Sequence, residues 1–259
     1  MLDRIKAKKL GQVFLVNRNI AEAEAEHAHG KSILEIGPGH AMLTTELCKR
    51  AKSVIAVEKD PSIYRELKST MNYPNLMLIN ADFLDFAKDE ASSHKIDMLI
   101  ANVPYGLSSK VIEWLADTGS EAVLCLQKEF VERMLSSEGT REYSNLSVMS
   151  ALSFSITEIM NVDRGNFSPV PKVDSEIIYL KPKSKRPKKD ELKVISILMQ
   201  HKKRTLRKAL IDCRAFFSST KGEMSKLSDT LGMGERRIFT MSPAELLSLA
   251  GRILSLQKE

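Results

Sequence analysis

From Ser32 onward, short apolar runs alternate with longer amphipathic stretches along the chain. This alternation is typical of βαβ units, which build a parallel sheet covered by helices. Five strands are predicted, over Ile33 to Ile36, Ser53 to Val57, Leu76 to Ile79, Ile96 to Ala101 and Ala122 to Leu126. Two later stretches, around Leu152 to Val162 and Ser175 to Leu180, flank a loop with two prolines and predict an antiparallel pair. The predicted fold class is therefore α/β, with a Rossmann-like, mostly parallel sheet and an antiparallel edge strand.

The chain changes character after residue 180. Residues 181–189, KPKSKRPKK, are six parts in nine basic, contain two prolines and no apolar residue, and predict a linker. Beyond it, helices are predicted over Leu192 to Phe217, Met224 to Leu231 and Pro243 to Leu256. We therefore predict one domain over residues 1–180 and a small helical domain over residues 190–259.

The net charge also differs between the two predicted domains. The net charge is +6, but residues 1–180 hold 20 Lys and Arg against 25 Asp and Glu, so the positive charge is concentrated in the last third. A basic domain is a candidate for binding a polyanion, because each neutralised phosphate releases condensed counterions. A solvated, solubilising surface explains the charge equally well from composition alone.

Composition argues against several other classes of protein. Cys48, Cys125 and Cys213 lie far apart and form no Cys-x-x-Cys pair, which argues against a disulfide framework and fits a reducing cytoplasm. The five histidines show no zinc spacing, so no metal is expected. The N-terminus lacks an apolar signal core, and no run of eighteen apolar residues occurs, so we expect a cytoplasmic protein outside the membrane.

Polar residues follow the predicted strands at their carboxyl ends, where parallel sheets bind ligands. Gly37 and Gly39 follow the first strand, and Glu58 ends the second, 21 residues after Gly37, where an acidic side chain can bind ribose hydroxyls. Met42 stands where a dinucleotide fingerprint needs a third small residue, which weighs against a dinucleotide but not against another nucleoside-bearing cofactor. Asp82 follows the third strand, although an isolated Asp there is more often a helix cap than a ligand.

The segment Asn102-Val103-Pro104-Tyr105 follows the fourth strand. A polar amide, a rigid proline and an aromatic ring at this edge predict a clamp for a flat, amino-bearing substrate. Taken alone, the four residues are also explained by a strand that runs into a proline turn with a packed tyrosine.

Seven segments occur in order within residues 5–215: KLGQVFL, EIGPG, the strand ending at Glu58, NADFLDF, NVPY, QKE and NFSPVPKVDS. Together they resemble the small-subunit ribosomal RNA adenine N6-dimethyltransferases, the KsgA family. Val13 stands where bacterial members usually carry Asn, which resembles the archaeal and eukaryotic branch, and Val103 stands where Leu is commoner.

The resemblance implies a class I methyltransferase fold with S-adenosylmethionine as cofactor. It also implies that the cofactor is held by Gln12, Val13 and Leu15, by Gly37, and by Asn102 at the border of the target site. Glu58 would bind the ribose hydroxyls of the cofactor. Asp82 would bind the amino group of the cofactor's own adenine. At Val13 only a backbone contact would carry over.

The target implied by the resemblance is the N6 amine of adenine, whose lone pair is delocalised into the ring. If the Asn102 side-chain oxygen and the Pro104 carbonyl accept hydrogen bonds from this amine, its nitrogen becomes more tetrahedral and its lone pair points at the methyl donor. No tuned general base is required, because the proton becomes acidic only after methylation. Tyr105 and Phe167 would stack on the extruded base, and core packing is the alternative for Phe167.

A cationic strip is predicted on the helix from Leu198 to Phe217. We expect it to contact RNA phosphates together with the basic linker and the N-terminal Lys6, Lys8 and Lys9. The strip consists of Lys203, Arg204, Arg207, Lys208 and Arg214.

The leading hypothesis is dimethylation of two adjacent adenosines near the 3′ end of small-subunit rRNA, in a pre-ribosomal particle, by a monomeric enzyme. A large-subunit rRNA adenine dimethyltransferase shares the fold and the Asn-x-Pro-Tyr motif and stays an alternative. A non-catalytic RNA-binding assembly factor is a second alternative. It predicts a degraded pocket, whereas the chain retains Gly37, Glu58, Asp82, Asn102, Pro104 and Tyr105.

Overall fold

The structure is a computed structural model that describes residues 13–89 and 91–256, without the side chain of Ser92. Its described residues form two compact units. The first unit takes its residues from Met1–Val131 and Ser155–Pro182, and the second from Glu132–Phe154 and Lys183–Glu259. Gln12 and the three N-terminal lysines lie outside the described residues.

A seven-stranded sheet forms the centre of the first unit. Its strand order is β4-β3-β2-β5-β6-β9-β7, and β1 pairs antiparallel with β8 in a separate two-stranded sheet. The strands are β1 (Phe14–Leu15), β2 (Ser32–Ile36), β3 (Ser53–Glu58), β4 (Leu76–Asn80), β5 (Met98–Asn102), β6 (Glu121–Gln127), β7 (Phe154–Val162), β8 (Phe167–Ser168) and β9 (Ser175–Pro182).

The pairing of β2 sets the position of the site. This strand is parallel to β3 on one side and to β5 on the other, so the strand order reverses at β2. Ligands bind at such a topological switch point, beyond the carboxyl ends of the strands. β9 runs antiparallel to β6 and lies between it and β7. The predicted fold class, a mostly parallel sheet with an antiparallel strand near its edge, is confirmed.

Burial explains why the strands were recognisable from sequence. Every residue of β2 is buried, as are all residues of β5 except the last. A parallel strand that is covered on both faces has a continuous apolar sequence, and each fully buried aliphatic side chain contributes about 1.5–3 kcal/mol. All five predicted parallel strands occur within two residues of their predicted bounds.

None of the described helices is long and apolar enough to cross a membrane. They are α1 (Arg18–Ala25), α2 (Met42–Arg50), α3 (Pro61–Thr70), α4 (Phe83–Asp89), α5 (Ser108–Thr118), α6 (Lys128–Met134), α7 (Asn145–Ser153), α8 (Lys189–Gln200), α9 (Leu206–Asp212), α10 (Lys221–Leu231) and α11 (Pro243–Leu256).

The single helix predicted from Leu192 to Phe217 is wrong. The structure has two helices there, because α8 ends at Gln200 and α9 begins at Leu206. Between them Thr205 has an extended backbone and forms a β-bridge with Arg237. A distant segment therefore interrupts a stretch whose local periodicity is helical throughout.

Residues 132–154 belong to the second unit, whereas the sequence analysis placed them in a first domain that ran to residue 180. The fully buried Tyr143 illustrates the reason, because its hydroxyl donates a 2.9 Å hydrogen bond to the Met241 carbonyl. The Lys202 ammonium in turn donates to the Tyr143 carbonyl at 2.6 Å. Both contacts join residues far apart in sequence, so no local pattern could predict them.

Candidate functional site

Two adjoining cavities lie at the carboxyl ends of β2, β3 and β5. The larger has about 630 Å³ of empty space, open solvent included, and the smaller about 340 Å³. Both are lined by Val13, Phe14, Gly37 and Asn102. The structure brings eight of the predicted site residues to these walls: Val13, Leu15, Gly37, Glu58, Asn102, Pro104, Tyr105 and Phe167.

The glycine loop between β2 and α2 forms one wall. Gly37 and Gly39 have φ angles of +66° and +55°, a region that side chains disfavour. A Cβ at Gly37 would lie 3.5 Å from the Pro104 ring, and one at Gly39 would lie 2.5 Å from the Phe14 ring. The loop is therefore packed closely against both the N-terminal strand and the Asn102–Tyr105 segment.

Glu58 presents its carboxylate at the end of β3. One oxygen accepts a hydrogen bond from the Asp60 amide at 2.8 Å, and the other accepts from the Gly39 amide at 3.4 Å. Burial raises the pKa of Glu58, and these amides partly oppose the rise by stabilising the ionised form. Each carboxylate oxygen has two lone pairs, so Glu58 retains the capacity to accept hydroxyl groups from a ligand.

Asp82 lies at the same sheet edge, two residues beyond Asn80, which pairs with Glu58. Its side chain forms a 2.7 Å ion pair with Lys59 and accepts a 2.8 Å hydrogen bond from the Leu84 amide. The Lys59 ammonium lowers the pKa of Asp82. Asp82 is not among the residues that line the two cavities. Its contacts are those of a helix cap, and its role at a ligand stays a prediction.

Asn102 ends β5 between the two cavities. Its amide nitrogen Nδ2 donates to Oε2 of Glu24 at 3.4 Å, while its oxygen Oδ1 is buried and has no hydrogen-bond partner among the described residues. A buried acceptor without a partner is uncommon in folded proteins and calls for an explanation, and this one lies at the cavities. The Pro104 carbonyl accepts from the Leu107 amide at 2.8 Å and retains a second lone pair.

Two aromatic side chains complete the larger cavity. Tyr105 is partly buried, and its hydroxyl lies 3.4 Å from the Ser175 hydroxyl. Phe167 is only 4% exposed and belongs to the hydrophobic core, so core packing describes most of its surface. Its strand β8 pairs with β1, which places Phe167 opposite Leu15. Both rings reach the cavity wall, and stacking on a base stays a prediction for each.

The sequence analysis missed several residues of the site. Phe14 lines both cavities, and its ring centroid lies 4.3 Å from that of His40. Phe14 stands within the KLGQVFL segment, so the resemblance could have indicated it. Glu24 lies on α1, 78 positions before Asn102, and no sequence signal joins the two residues.

Two carboxyls are fully buried next to Asn102. Burial raises the pKa of Glu24 to about 8, and the charge of Glu35 adds to the rise. Burial likewise raises the pKa of Glu35 to about 8, and Glu58 contributes to this rise. Burial therefore disfavours the ionised form of both carboxyls.

The predicted cationic strip lies in the second unit. Lys203 and Lys208 are exposed. Arg207 instead forms ion pairs with Asp229 and Glu235, and Arg204 lies 3.7 Å from an Asp212 oxygen. The two arginines are thus partly neutralised by acidic neighbours, whereas the two lysines present their charge to solvent.

Known proteins of one family are similar to this chain. The chain matches the ribosomal RNA adenine dimethylase family over residues 4–228. It is 34% identical over 250 residues to the probable ribosomal RNA small subunit methyltransferase A of Thermococcus gammatolerans, with 93% of this chain and 87% of that protein covered.

Two solved structures are also similar. A dimethyladenosine transferase from Plasmodium falciparum has a TM-score of 0.76 at 28% identity, over 95% of this chain and 98% of that one. The 23S rRNA methyltransferase ErmE has a TM-score of 0.59 at 26% identity, over 92% of this chain and 98% of that one. The fold and the switch-point site thus define a class I methyltransferase. The chain belongs to the ribosomal RNA adenine dimethylase family, which confirms the resemblance noted in the sequence.

Replacing Gly39 by Ala tests the packing of the glycine loop. We expect a loss of about 2–3 kcal/mol in the free energy of unfolding, because backbone strain adds to the contact with Phe14. Gly30→Ala is the matched control, since Gly30 also has a positive φ of +69° but no atom within 4 Å of an added Cβ. It should lose only about 1 kcal/mol. Equal losses in denaturant unfolding would contradict the close approach.

The buried carboxyls predict how stability depends on pH. A carboxyl whose pKa is raised by folding stabilises the native state fully below its ordinary value of 4.5 and loses that effect as pH rises to about 8. Glu24→Gln should therefore reduce the loss of unfolding free energy between pH 5 and pH 8, by up to about 1 kcal/mol per pH unit. A pH profile of Glu24→Gln identical to that of the parent protein would contradict the burial of this carboxyl.

Proposed function

We propose that this protein transfers methyl groups from S-adenosylmethionine to the N6 amine of two adjacent adenosines near the 3′ end of small-subunit rRNA. The observation that carries the proposal is the buried Oδ1 of Asn102, which has no hydrogen-bond partner in the part of the chain that the structure describes and belongs to the same cavity lining as Pro104. Two acceptors in one place suit an amine, which has two hydrogens to donate. Membership of the adenine dimethylase family supports adenine as the base.

The residues at the switch point fit the proposed cofactor. Gly37 and Gly39 line the larger cavity without side chains, and Glu58 offers carboxylate oxygens to a ribose. Val13 and Leu15 line the smaller cavity from β1. S-adenosylmethionine would supply an electrophilic methyl group on a positively charged sulfur.

The chain itself has to orient the target amine. Hydrogen bonds to Asn102 Oδ1 and the Pro104 carbonyl would draw the amine hydrogens to one side and favour a tetrahedral nitrogen. Because these acceptors are already fixed by the end of β5, little reorganisation is needed during the reaction. Tyr105 and Phe167 would hold the ring of the extruded base and exclude water.

The same pocket suits a second methylation. Val103 lines the larger cavity, and a Cβ added at Gly106 would meet no atom within 4 Å. A monomethylated amine still has one hydrogen to donate, so either acceptor alone could hold it. This supports dimethyladenosine as the product.

Both alternatives receive less support. ErmE, which acts on 23S rRNA, has the lower TM-score of the two solved structures, and the Thermococcus relative is named for the small subunit. A non-catalytic assembly factor does not require the polar side chains of Glu58, Asn102 and Tyr105 to line one cavity, as they do here. We therefore favour the small-subunit enzyme, acting on a pre-ribosomal particle in the cytoplasm as a monomer.

The RNA is proposed to bind through the basic second unit. The exposed Lys203 and Lys208 would contact phosphates directly. Arg204 and Arg207 would contribute less, because each already lies near a carboxylate of the same unit. Phosphate contacts of this kind fix position but do not select a base.

Methyl transfer to unmodified small ribosomal subunits tests the proposed reaction. With radiolabelled S-adenosylmethionine, the parent protein should label N6 of adenosine in small-subunit rRNA. Asn102→Ala should lower the rate by about 10²-fold or more, because it removes one of the two fixed acceptors. Asn19→Ala, an exposed residue on α1, serves as the control. Labelling of large-subunit rRNA instead, or full activity of Asn102→Ala, would contradict the proposal.

The salt dependence of RNA affinity tests the basic surface. A Lys203→Ala, Lys208→Ala double variant should lower the slope of log affinity against log salt by about 1–2, since about 0.7–0.9 counterions are released per phosphate contact. A Lys49→Ala, Lys110→Ala variant removes two ion-paired lysines of the first unit and should retain the parental slope. If the first variant also retained it, the RNA would bind elsewhere.

A further inference from the structure

Glu24 is a buried carboxyl in contact with Asn102. Its side chain is completely buried on α1, and its atom Oε1 has no hydrogen-bond partner within the described ranges. The charged group that acts on it most is another carboxyl, Glu35, and not a cation. A buried carboxyl in such surroundings disfavours folding. Its other oxygen makes the one contact that points to a use, the bond to Asn102.

This contact controls the group that the reaction needs. Asn102 Nδ2 donates to Glu24 Oε2 at 3.4 Å, and Oδ1 is bonded to the same carbon on the other side of the amide. A side-chain amide can rotate, and rotation would exchange its donor and its acceptor. An acceptor held against Nδ2 favours the orientation in which Oδ1 stays free.

The position of Glu24 is itself well defined. Ala21 and Ala25 flank it on α1 and are completely buried, so the helix is packed closely around it. At the start of α1, the Asn17 side chain accepts a 3.0 Å hydrogen bond from the Asn19 amide and caps the helix. A group on a packed, capped helix can position a neighbour more precisely than one on a loop.

We propose that Glu24 is a positioning residue, whose Oε2 holds the Asn102 amide so that Oδ1 is available to the target amine. The inference rests on the proposed function, because it requires that Asn102 contact this amine. Glu24 does not touch the substrate. Its effect is expected on the rate of methyl transfer and not on cofactor binding.

Two substitutions at Glu24 separate positioning from packing. Glu24→Met keeps the volume but removes the acceptor, so kcat should fall by 10-fold or more with an unchanged KM for S-adenosylmethionine. The melting temperature should stay the same or rise, since a buried carboxyl has been removed. Glu24→Gln retains an oxygen acceptor and should recover most of kcat. Glu22→Met makes the same change at a half-buried position of α1 that pairs with Arg18, and its kcat should match the parental value.

A second measurement needs no activity. In ¹⁵N NMR spectra of the protein without ligands, the Asn102 side-chain amide signal, assigned by its loss in Asn102→Ala, should shift in Glu24→Met and stay close to the parental position in Glu24→Gln.

Parental kcat in Glu24→Met, or an unmoved amide signal, would overturn the inference and leave the proposed function intact. A fall in kcat that Glu24→Gln shares in full would also overturn it, because the acceptor would then be irrelevant. An inactive parent protein, in contrast, would overturn the proposed function and this inference together.

Discussion

The parallel pairing of β2 with both β3 and β5 is the constraint on which the rest of the site depends. It brings the ends of three strands to one edge, so the glycine loop, Glu58 and Asn102 meet although 65 residues separate the first from the last. The strands are held in this register by apolar side chains that are buried on both faces. β3 and β5 each end on a polar residue, Glu58 and Asn102. The candidate chemistry therefore lies at the carboxyl edge of the sheet, where side chains can reach a ligand.

Burying polar side chains at the site costs free energy, because these groups lose their hydrogen bonds to water. Burial disfavours the ionised forms of Glu24 and Glu35, while two backbone amides stabilise the ionised form of Glu58. Asn102 Oδ1 has no such compensation among the described residues. A lost hydrogen bond of this kind costs about 1–3 kcal/mol, and a ligand that restores it recovers that energy on binding. The native structure is thus prepared for a hydrogen-bond donor before any ligand arrives.

Much of this architecture could be predicted from sequence, because local patterns determine it. The parallel strands are continuous apolar runs, and their polar ends predicted Gly37, Glu58 and Asn102 at one edge. The features that could not be predicted depend on contacts between segments that are distant in sequence. Thr205 breaks a helical pattern because it pairs with Arg237, and residues 132–154 join the second unit through contacts such as that of Tyr143. Glu24 escaped notice for the same reason, since only the folded chain brings α1 under β5.

The central claim is that two fixed oxygens, Asn102 Oδ1 and the Pro104 carbonyl, hold the amine of an adenine. A crystal structure with S-adenosylhomocysteine and a short target RNA tests it most directly. We expect N6 of the extruded adenine to lie about 3 Å from both oxygens, with Nδ2 of Asn102 still donating to Glu24. An adenine bound outside the larger cavity, or an Asn102 amide that turns Nδ2 toward N6, would contradict it.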